Sequence, residues 1–147
     1  MFKNDETKAT GKLTVEIKDK DGKVKDTREL TNLVVSDGLD FIASRMKDAT
    51  ATAMSHMAIG TGSTAAASGD SALGTEAARQ ALTSTTVNNN AVSYVASFAA
   101  GTGTGAITEA GILNAASSGT LLCRTVFSVV NKAASDSMTI TWTVTIS

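Results

Sequence analysis

The C-terminal segment constrains the fold of this 147-residue chain most, because large apolar residues and threonines alternate there without interruption. The apolar positions are Met138, Ile140, Trp142, Val144 and Ile146, and threonine occupies every position between them. A period of two places successive side chains on opposite faces of a β-strand. The segment therefore predicts a strand with one face on a hydrophobic core and a hydroxyl-bearing face toward water or a neighbouring chain.

Shorter segments of the same kind recur along the chain, separated by turn-forming residues. Predicted strands cover residues 13–18, 23–30, 32–35, 55–59, 81–87, 92–98, 107–113, 121–130 and 138–146. The turn signals are Asp19–Gly22, Asn88–Asn90, Gly101–Gly105 and Gly119. About seven to nine short strands at this spacing predict a mainly β fold, an antiparallel β-sandwich or jelly roll. The candidate core residues are Trp142, Ile140, Val144, Phe98 and Tyr94.

One helix is predicted over residues 37–48. Ser36 can cap its first turn, and Asp37 favours the positive end of the helix dipole. An apolar stripe at helical spacing follows, formed by Leu39, Ile42, Ala43 and Met46. Residues 75–80 could add a single helical turn. Residues 1–10 are interpreted as a polar N-terminal arm, and residues 11–147 as one β-sandwich domain with a helix laid against it.

Charge is spread very unevenly. Residues 1–48 hold ten Lys or Arg and ten Asp or Glu, whereas residues 49–147 hold three and four. A free-standing domain normally carries a quarter or more charged residues on its surface. Two interpretations stay open: Thr, Ser, Asn and Gly hydrate this surface, or other subunits cover it.

Several classes of function are disfavoured by composition. A net charge of −1 argues against binding to nucleic acid. A single Cys and a single His give no disulfide framework and no transition-metal centre, so no cofactor is expected. No apolar run is long enough to span a membrane, and the N-terminus lacks the apolar region of a signal peptide. The glycine-rich segment Gly101–Gly105 precedes a predicted strand, where a phosphate loop would precede a helix. Asp19–Gly22 lacks the later acidic ligands of a calcium loop and is read as a hairpin turn.

Four charged residues stand out in the neutral part of the chain. Glu76 and Arg79 are three apart and could meet across one helical turn. Glu109 and Arg124 fall on consecutive predicted strands, so they could pair across the sheet. Each carboxylate thus has an arginine as a partner, which favours structural ion pairs over the paired carboxylates of a glycosidase. No catalytic residue is assigned, and the chain is not expected to be an enzyme.

Several motifs resemble a family of tailed-bacteriophage virion proteins that are described as tail-fibre-like or structural. They are Asn32–Val35 with Gly38, Ile42–Ala43 and Arg45–Met46; Met57–Thr64; Asp70–Glu76 with Arg79; Thr108–Ile112; Arg124–Phe127; and Ile140–Thr143. The resemblance runs from about residue 11 to the C-terminus. Where members often have proline after the Ile-Gly-Thr-Gly sequence, this chain has Ala65–Ala67. The resemblance implies a virion component made in the host cytoplasm.

The leading functional hypothesis is a capsid decoration protein that binds the outside of the shell. Its expected partners are the major capsid protein and, next, tail proteins, and a homo-oligomer, with a trimer favoured, is expected. The candidate partner-contact residues are Phe2, Lys3, Thr61, Ser63 and Thr64. A tail, baseplate or fibre module is the alternative. A carbohydrate-binding module is the third hypothesis, although most of the few aromatic residues fall on predicted core faces.

Overall fold

The computed structural model describes residues 8–48 and 50–147, and it confirms a mainly β fold with two antiparallel sheets and one short helix. Ten strands lie in the described residues: β1 Ala9–Lys18, β2 Val24–Thr31, β3 Leu33–Val34, β4 His56–Gly60, β5 Glu76–Ala81, β6 Ser84–Asn88, β7 Ala91–Phe98, β8 Gly105–Leu113, β9 Leu121–Lys132 and β10 Ser137–Ile146. Helix α1 spans Ser36–Lys47. The arrangement is a β-sandwich, as the alternating segments predict.

The first sheet, sheet A, has the strand order β2-β1-β10-β7-β6. The C-terminal strand β10 lies at its centre, with Leu13 of β1 and Tyr94 of β7 on either side of Trp142. The alternation in the sequence explains this place, because a central strand with one apolar face has a core to cover on that face. The threonines of β10 lie on the outer face. Their partners on β1 are Thr10, Lys12, Thr14 and Glu16, and those on β7 are Ala91, Ser93, Val95 and Ser97.

The second sheet, sheet B, has the order β3-β9-β8-β4-β5. Its inner face and that of sheet A enclose the main core. All five predicted core residues are buried there, Trp142, Phe98 and Ile140 completely. A second, smaller hydrophobic cluster is separate from the main core and consists of Val35, Ala58, Leu73, Leu113 and Leu121.

The helix differs from the prediction in its cap and in its buried face. Val35 is the N-cap and no side chain caps the first turn, so the capping role assigned to Ser36 is wrong. Of the predicted stripe, Ile42 packs against the core, but Leu39 and Met46 are 49% and 85% exposed, so the stripe is wrong at these two positions. Gly38 is buried, and a Cβ atom on it would overlap the backbone oxygen of Leu122. The helix therefore approaches β9 at a glycine. A search for apolar residues at helical spacing does not identify such a contact.

Two further boundaries differ. Residues 76–81 form strand β5 instead of a helical turn, which raises the number of strands to ten. Strand β1 begins at Ala9, so the arm predicted over residues 1–10 overlaps a strand at its last two positions. Lys8 and Ser147 exchange backbone hydrogen bonds beside that strand. Phe2 and Lys3 lie outside the described residues.

The predicted turns have the expected backbone. In the β1–β2 hairpin the Asp19 carboxylate accepts the N–H groups of Asp21 and Lys23, and Gly22 has a φ of +82°. The carboxylate that looked like the start of a calcium loop is thus used within its own turn. Between β7 and β8, three glycines of the Gly101–Gly105 segment take positive φ, which suits a turn.

Candidate functional site

The most organised polar site lies on the outer face of sheet B, where the segment of residues 61–75, here called the cover loop, folds over β8 and β9. Glu109 of β8 is fully buried beneath it. Its carboxylate accepts backbone N–H groups from Gly62 at 2.6 Å, from Gly74 at 2.7 Å and from Thr75 at 2.7 Å. Both ends of the cover loop are thereby attached to one side chain.

Glycines make room for this carboxylate. A Cβ atom on Gly62 would overlap Glu109 Oε2, and one on Gly60 would lie 2.8 Å from the same atom. The Gly60-Thr61-Gly62 sequence therefore binds an anion through the backbone N–H of Gly62. The anion belongs to the protein itself.

Arg124 of β9 completes the site. Its Nη2 lies 3.0 Å from Glu109 Oε1, and its Nη1 lies 2.8 Å from Asp70 Oδ2. The same guanidinium donates to the backbone oxygen of Thr64 at 3.0 Å. Gly111, two residues after Glu109, is the register partner of Arg124, so the ion pair runs diagonally between the two strands. The predicted pair Glu109–Arg124 is thus present, and it is buried.

Opposing effects set the pKa of Glu109. Burial disfavours the charged carboxylate and by itself would raise the pKa. The hydrogen bonds from Thr75, Gly74, Gly62 and Arg124 outweigh burial and hold the pKa below its ordinary value. The carboxylate is therefore ionised at neutral pH, with its hydrogen-bonding capacity taken up by the cover loop and Arg124.

The second predicted pair, Glu76–Arg79, is present but for a different reason. Both residues lie on β5, and Arg79 Nη2 is 2.6 Å from Glu76 Oε1. Residues three apart normally point to opposite faces of a strand. The register shifts between Ile59 and Gly60, which leaves an extra residue in β5 and brings the two side chains together. Arg79 also donates to the backbone oxygens of Ala115 and Ser118.

A third charged cluster was not predicted. Lys132 is only 1% exposed, and its Nζ donates to the backbone oxygens of Ala99 and Asp136. The Asp136 carboxylate accepts from Lys25 at 2.7 Å and from the backbone of Ala133 at 2.9 Å. Burial lowers the pKa of Lys132, while the nearby Asp136 opposes that shift. The burial of Lys132 could have been predicted from its spacing, because it lies two residues after Val130 and therefore on the same face of β9.

The predicted partner-contact residues of the cover loop, Thr61, Ser63 and Thr64, are all exposed. They sit directly above the buried network, which fixes the loop backbone on both sides of them. Such a loop presents uncharged hydroxyl groups in a fixed arrangement, so little conformational entropy remains to be lost when a partner binds.

A groove of about 590 Å³ lies on the outer face of sheet A. Its lining is mostly threonine: Thr10, Thr14, Thr31, Thr141, Thr143 and Thr145, with Lys12 and Glu29 among them. No aromatic residue takes part. Elsewhere in the described residues, Trp142, Tyr94, Phe98 and Phe127 are all buried.

Side chains with reactive groups are engaged in structure. His56 shares a hydrogen bond of 2.8 Å with its neighbour Ser55, and Cys123 is fully buried, which raises the pKa of its thiol. Across residues 8–48 and 50–147, no group of three or more His, Cys, Asp or Glu side chains is arranged to hold a metal ion. The described part of the chain also holds no helix with the length and apolar character needed to cross a membrane.

Comparisons with known proteins do not identify the chain: no family model, no curated protein and no solved structure matches it.

Proposed function

We propose that the chain is a structural component of a tailed-bacteriophage particle, and specifically a capsid decoration protein that binds the outside of the shell. The sequence motifs that resemble virion proteins suggest the particle. The distribution of charge over the folded surface carries the argument for a protein that is covered by other proteins.

Three neighbouring strands of sheet A contain no charged residue. They are β10, β7 and β6, and they make up one side of the sheet. Their outer face bears threonine, serine and asparagine, together with Ala91 and Val95. The charged residues of sheet A are confined to β1 and β2. Charge depletion over a contiguous area is typical of the centre of a protein–protein interface, because buried charges are costly unless they are paired.

The proposed mechanism is contact without chemistry. The decoration protein would bury its uncharged faces and the cover loop between capsid subunits, and so hold neighbouring subunits together against the pressure of the packaged DNA. Many equivalent sites on the shell would place copies of the chain close to one another, which favours homo-oligomeric contacts. The N-terminal residues would add a second point of attachment to an adjacent subunit.

Copy number in purified particles tests this proposal. Particles of the phage that encodes the chain are purified, and the chain is quantified against the major capsid protein by mass spectrometry. The number of copies per particle is expected to be close to the number of equivalent sites on the capsid. A ratio matching the rings of a tail or baseplate would replace the decoration role by the tail alternative.

Disruption of the gene provides the second measurement. Electron microscopy of the mutant particles should show shells that lack a layer of external density, and these shells should break at lower temperature. Particles that never contained the chain, or mutant shells identical to those of the wild type, would contradict a role in the virion.

The carbohydrate-binding alternative receives little support from the surface. Glycan sites usually stack sugar rings on exposed aromatic side chains, and the large aromatic residues of the two sheets lie inside the core. The groove on sheet A offers hydroxyl groups but no such platform.

A further inference from the structure

Strand β6 differs from every other strand in the described part of the chain, because all five of its residues are exposed. It is the last strand of sheet A and pairs only with β7. Strand β5 of sheet B lies against β7, so the sandwich ends there and β6 extends past it. Val87 on this strand is 71% exposed. Within residues 8–48 and 50–147, both faces of β6 and its outer edge are thus open.

Open edge strands make a β protein prone to aggregation, since their unpaired N–H and C=O groups can form hydrogen bonds with a strand of another chain. The other edges of the two sheets are protected in ordinary ways. β2 carries Lys25, Asp26, Arg28 and Glu29, and β5 carries Glu76 and Arg79. β3 is only two residues long. The sequence of β6, Ser-Thr-Thr-Val-Asn, has no charge and no proline. It therefore lacks the charged side chains and the proline that commonly prevent edge pairing.

We propose that β6 is an assembly edge through which two copies of the chain pair antiparallel, β6 against β6, and form one continuous sheet from their two copies of sheet A. This inference does not depend on the phage assignment. Such a two-fold contact can join two single chains or two larger rings of chains.

A second copy is the occupant that the sequence of β6 fits. With a two-fold axis at Thr86, Ser84 lies opposite Asn88 of the other copy, and Thr85 lies opposite Val87. Each position then meets a polar or β-branched partner of suitable size, and no like charges face each other. Pairing with β2 of another copy would instead set four charged residues against an uncharged strand that offers them no ionic partner. The uncharged outer faces of β6 and β7 would continue across the axis.

The contact is small, so it belongs to the weak class of interfaces and requires a concentrated sample. Sedimentation velocity and native mass spectrometry of the full chain should show a monomer–dimer equilibrium, with dimer present at about 1 mM or below. A wild-type chain that remains monomeric over this range would overturn the proposal.

Charge exchange at the axis tests the register. In the Thr86→Lys variant, two ammonium groups would lie directly opposite each other, with Cβ atoms about 4.5–5.5 Å apart, and the dimer should be lost. Thr86→Glu should have the same effect. An equal mixture of the two variants should form heterodimers at least as well as the wild type forms dimers. Failure of the mixture to recover the dimer would overturn this pairing.

Thr141→Lys is the matched control, because Thr141 is exposed on the same face of sheet A but lies on the central strand β10. Its dimerisation should equal that of the wild type. Since Thr86 is exposed, both substitutions there should leave the circular-dichroism spectrum and the melting temperature unchanged. If the two-fold association of the wild type, whether of single chains or of rings, persists in Thr86→Lys, then β6 is not the assembly edge.

Discussion

Glu109 shows how one ionised side chain can fix a loop of fifteen residues in an almost uncharged region. Three backbone N–H groups of the cover loop and one guanidinium converge on its carboxylate. A neutral side chain of the same size would supply fewer acceptor positions, and its amide N–H groups would face the donors of the loop. The charge is therefore needed for the loop, and the loop hydrogen bonds in turn keep the group charged.

Glu109→Gln should lower the free energy of unfolding by about 3–5 kcal/mol at neutral pH, because Arg124 loses its buried partner. Urea unfolding followed by circular dichroism measures the change. Glu76→Gln is the matched control. Glu76 also pairs with an arginine, but its side chain is 35% exposed whereas Glu109 is fully buried, so a loss under about 1 kcal/mol is expected. Equal losses in the two variants would contradict the structural role of Glu109.

The same site predicts a pH dependence. The pKa of Glu109 is lower in the folded state than in the unfolded chain, so its ionisation stabilises the fold above about pH 4.5, the ordinary value. That contribution is lost as the pH falls through the folded-state pKa. Stability should therefore decrease on acidification below this value, and the decrease should be smaller in Glu109→Gln. Asp48, Asp70 and Asp136, whose pKa values are also lowered, should contribute to the decrease that remains.

Trp142 is the largest fully buried side chain of the core. Trp142→Ala should cost about 3–5 kcal/mol of unfolding free energy, which is a large part of the stability of a domain this size. Circular dichroism is the appropriate measurement, since Trp142 is the only tryptophan of the chain. Thr141→Ala, next to it on the outer face, should change stability by less than about 0.5 kcal/mol. A Trp142→Ala variant that melts like the wild type would show that this core position tolerates a cavity.

Individual ion pairs could be predicted from the sequence in residues 49–147, where charged residues are few. Glu109 and Arg124 stood out because so few charges surround them, and consecutive strands gave them a route to each other. Asp70 was not assigned to this network, because it comes from a loop whose path over the sheet has no periodic signal. Lys132 was missed for a related reason. Its partners are backbone oxygens, which leave no trace in the side-chain sequence.

At the scale of elements, period-two patterns predicted strands well and the helix contacts poorly. The alternation in β1, β7 and β10 identified which side of each strand faces the core, because apolar and polar residues alternate in a strand with one buried face. The sequence of strand β5 is also compatible with a helical turn, since its small residues and its Glu-Arg spacing suit both structures. Pairing with β4 decides in favour of the strand, and that pairing depends on distant residues.

Helix α1 gives an element-scale prediction that opposes helix propensity. Gly→Ala inside a helix normally adds about 1 kcal/mol of stability. Gly38→Ala should instead reduce stability by about 1–3 kcal/mol, because the new methyl group would overlap the backbone of Leu122 and push the helix off β9. Gly69→Ala is the control, since no atom lies within 4 Å of the Cβ that it would add. Thermal melts of the two variants should shift in clearly different ways.

At the scale of the whole molecule, the uneven distribution of charged residues along the sequence produces an uneven distribution of charge over the surface. The charged N-terminal part supplies β1, β2 and α1, whereas β6, β7 and β10 on the other side of sheet A are uncharged. Composition could indicate that some surface is covered, but only the strand order shows that the uncharged strands are neighbours. This order results from β1 pairing with β10, a contact between the two ends of the chain.

The first seven residues provide the last prediction. The fold as described begins with Lys8, which pairs with Ser147, and with Ala9, which pairs with Ile146. Deleting residues 1–7 keeps these pairings, whereas deleting residues 1–10 removes the start of β1 and should lower the melting temperature. If these residues attach the chain to an adjacent capsid subunit, the shorter deletion should weaken cosedimentation with particles that lack the chain. Full binding by this variant would restrict the attachment surface to the sandwich and the cover loop. A large fall in its melting temperature would instead make residues 1–7 part of the fold.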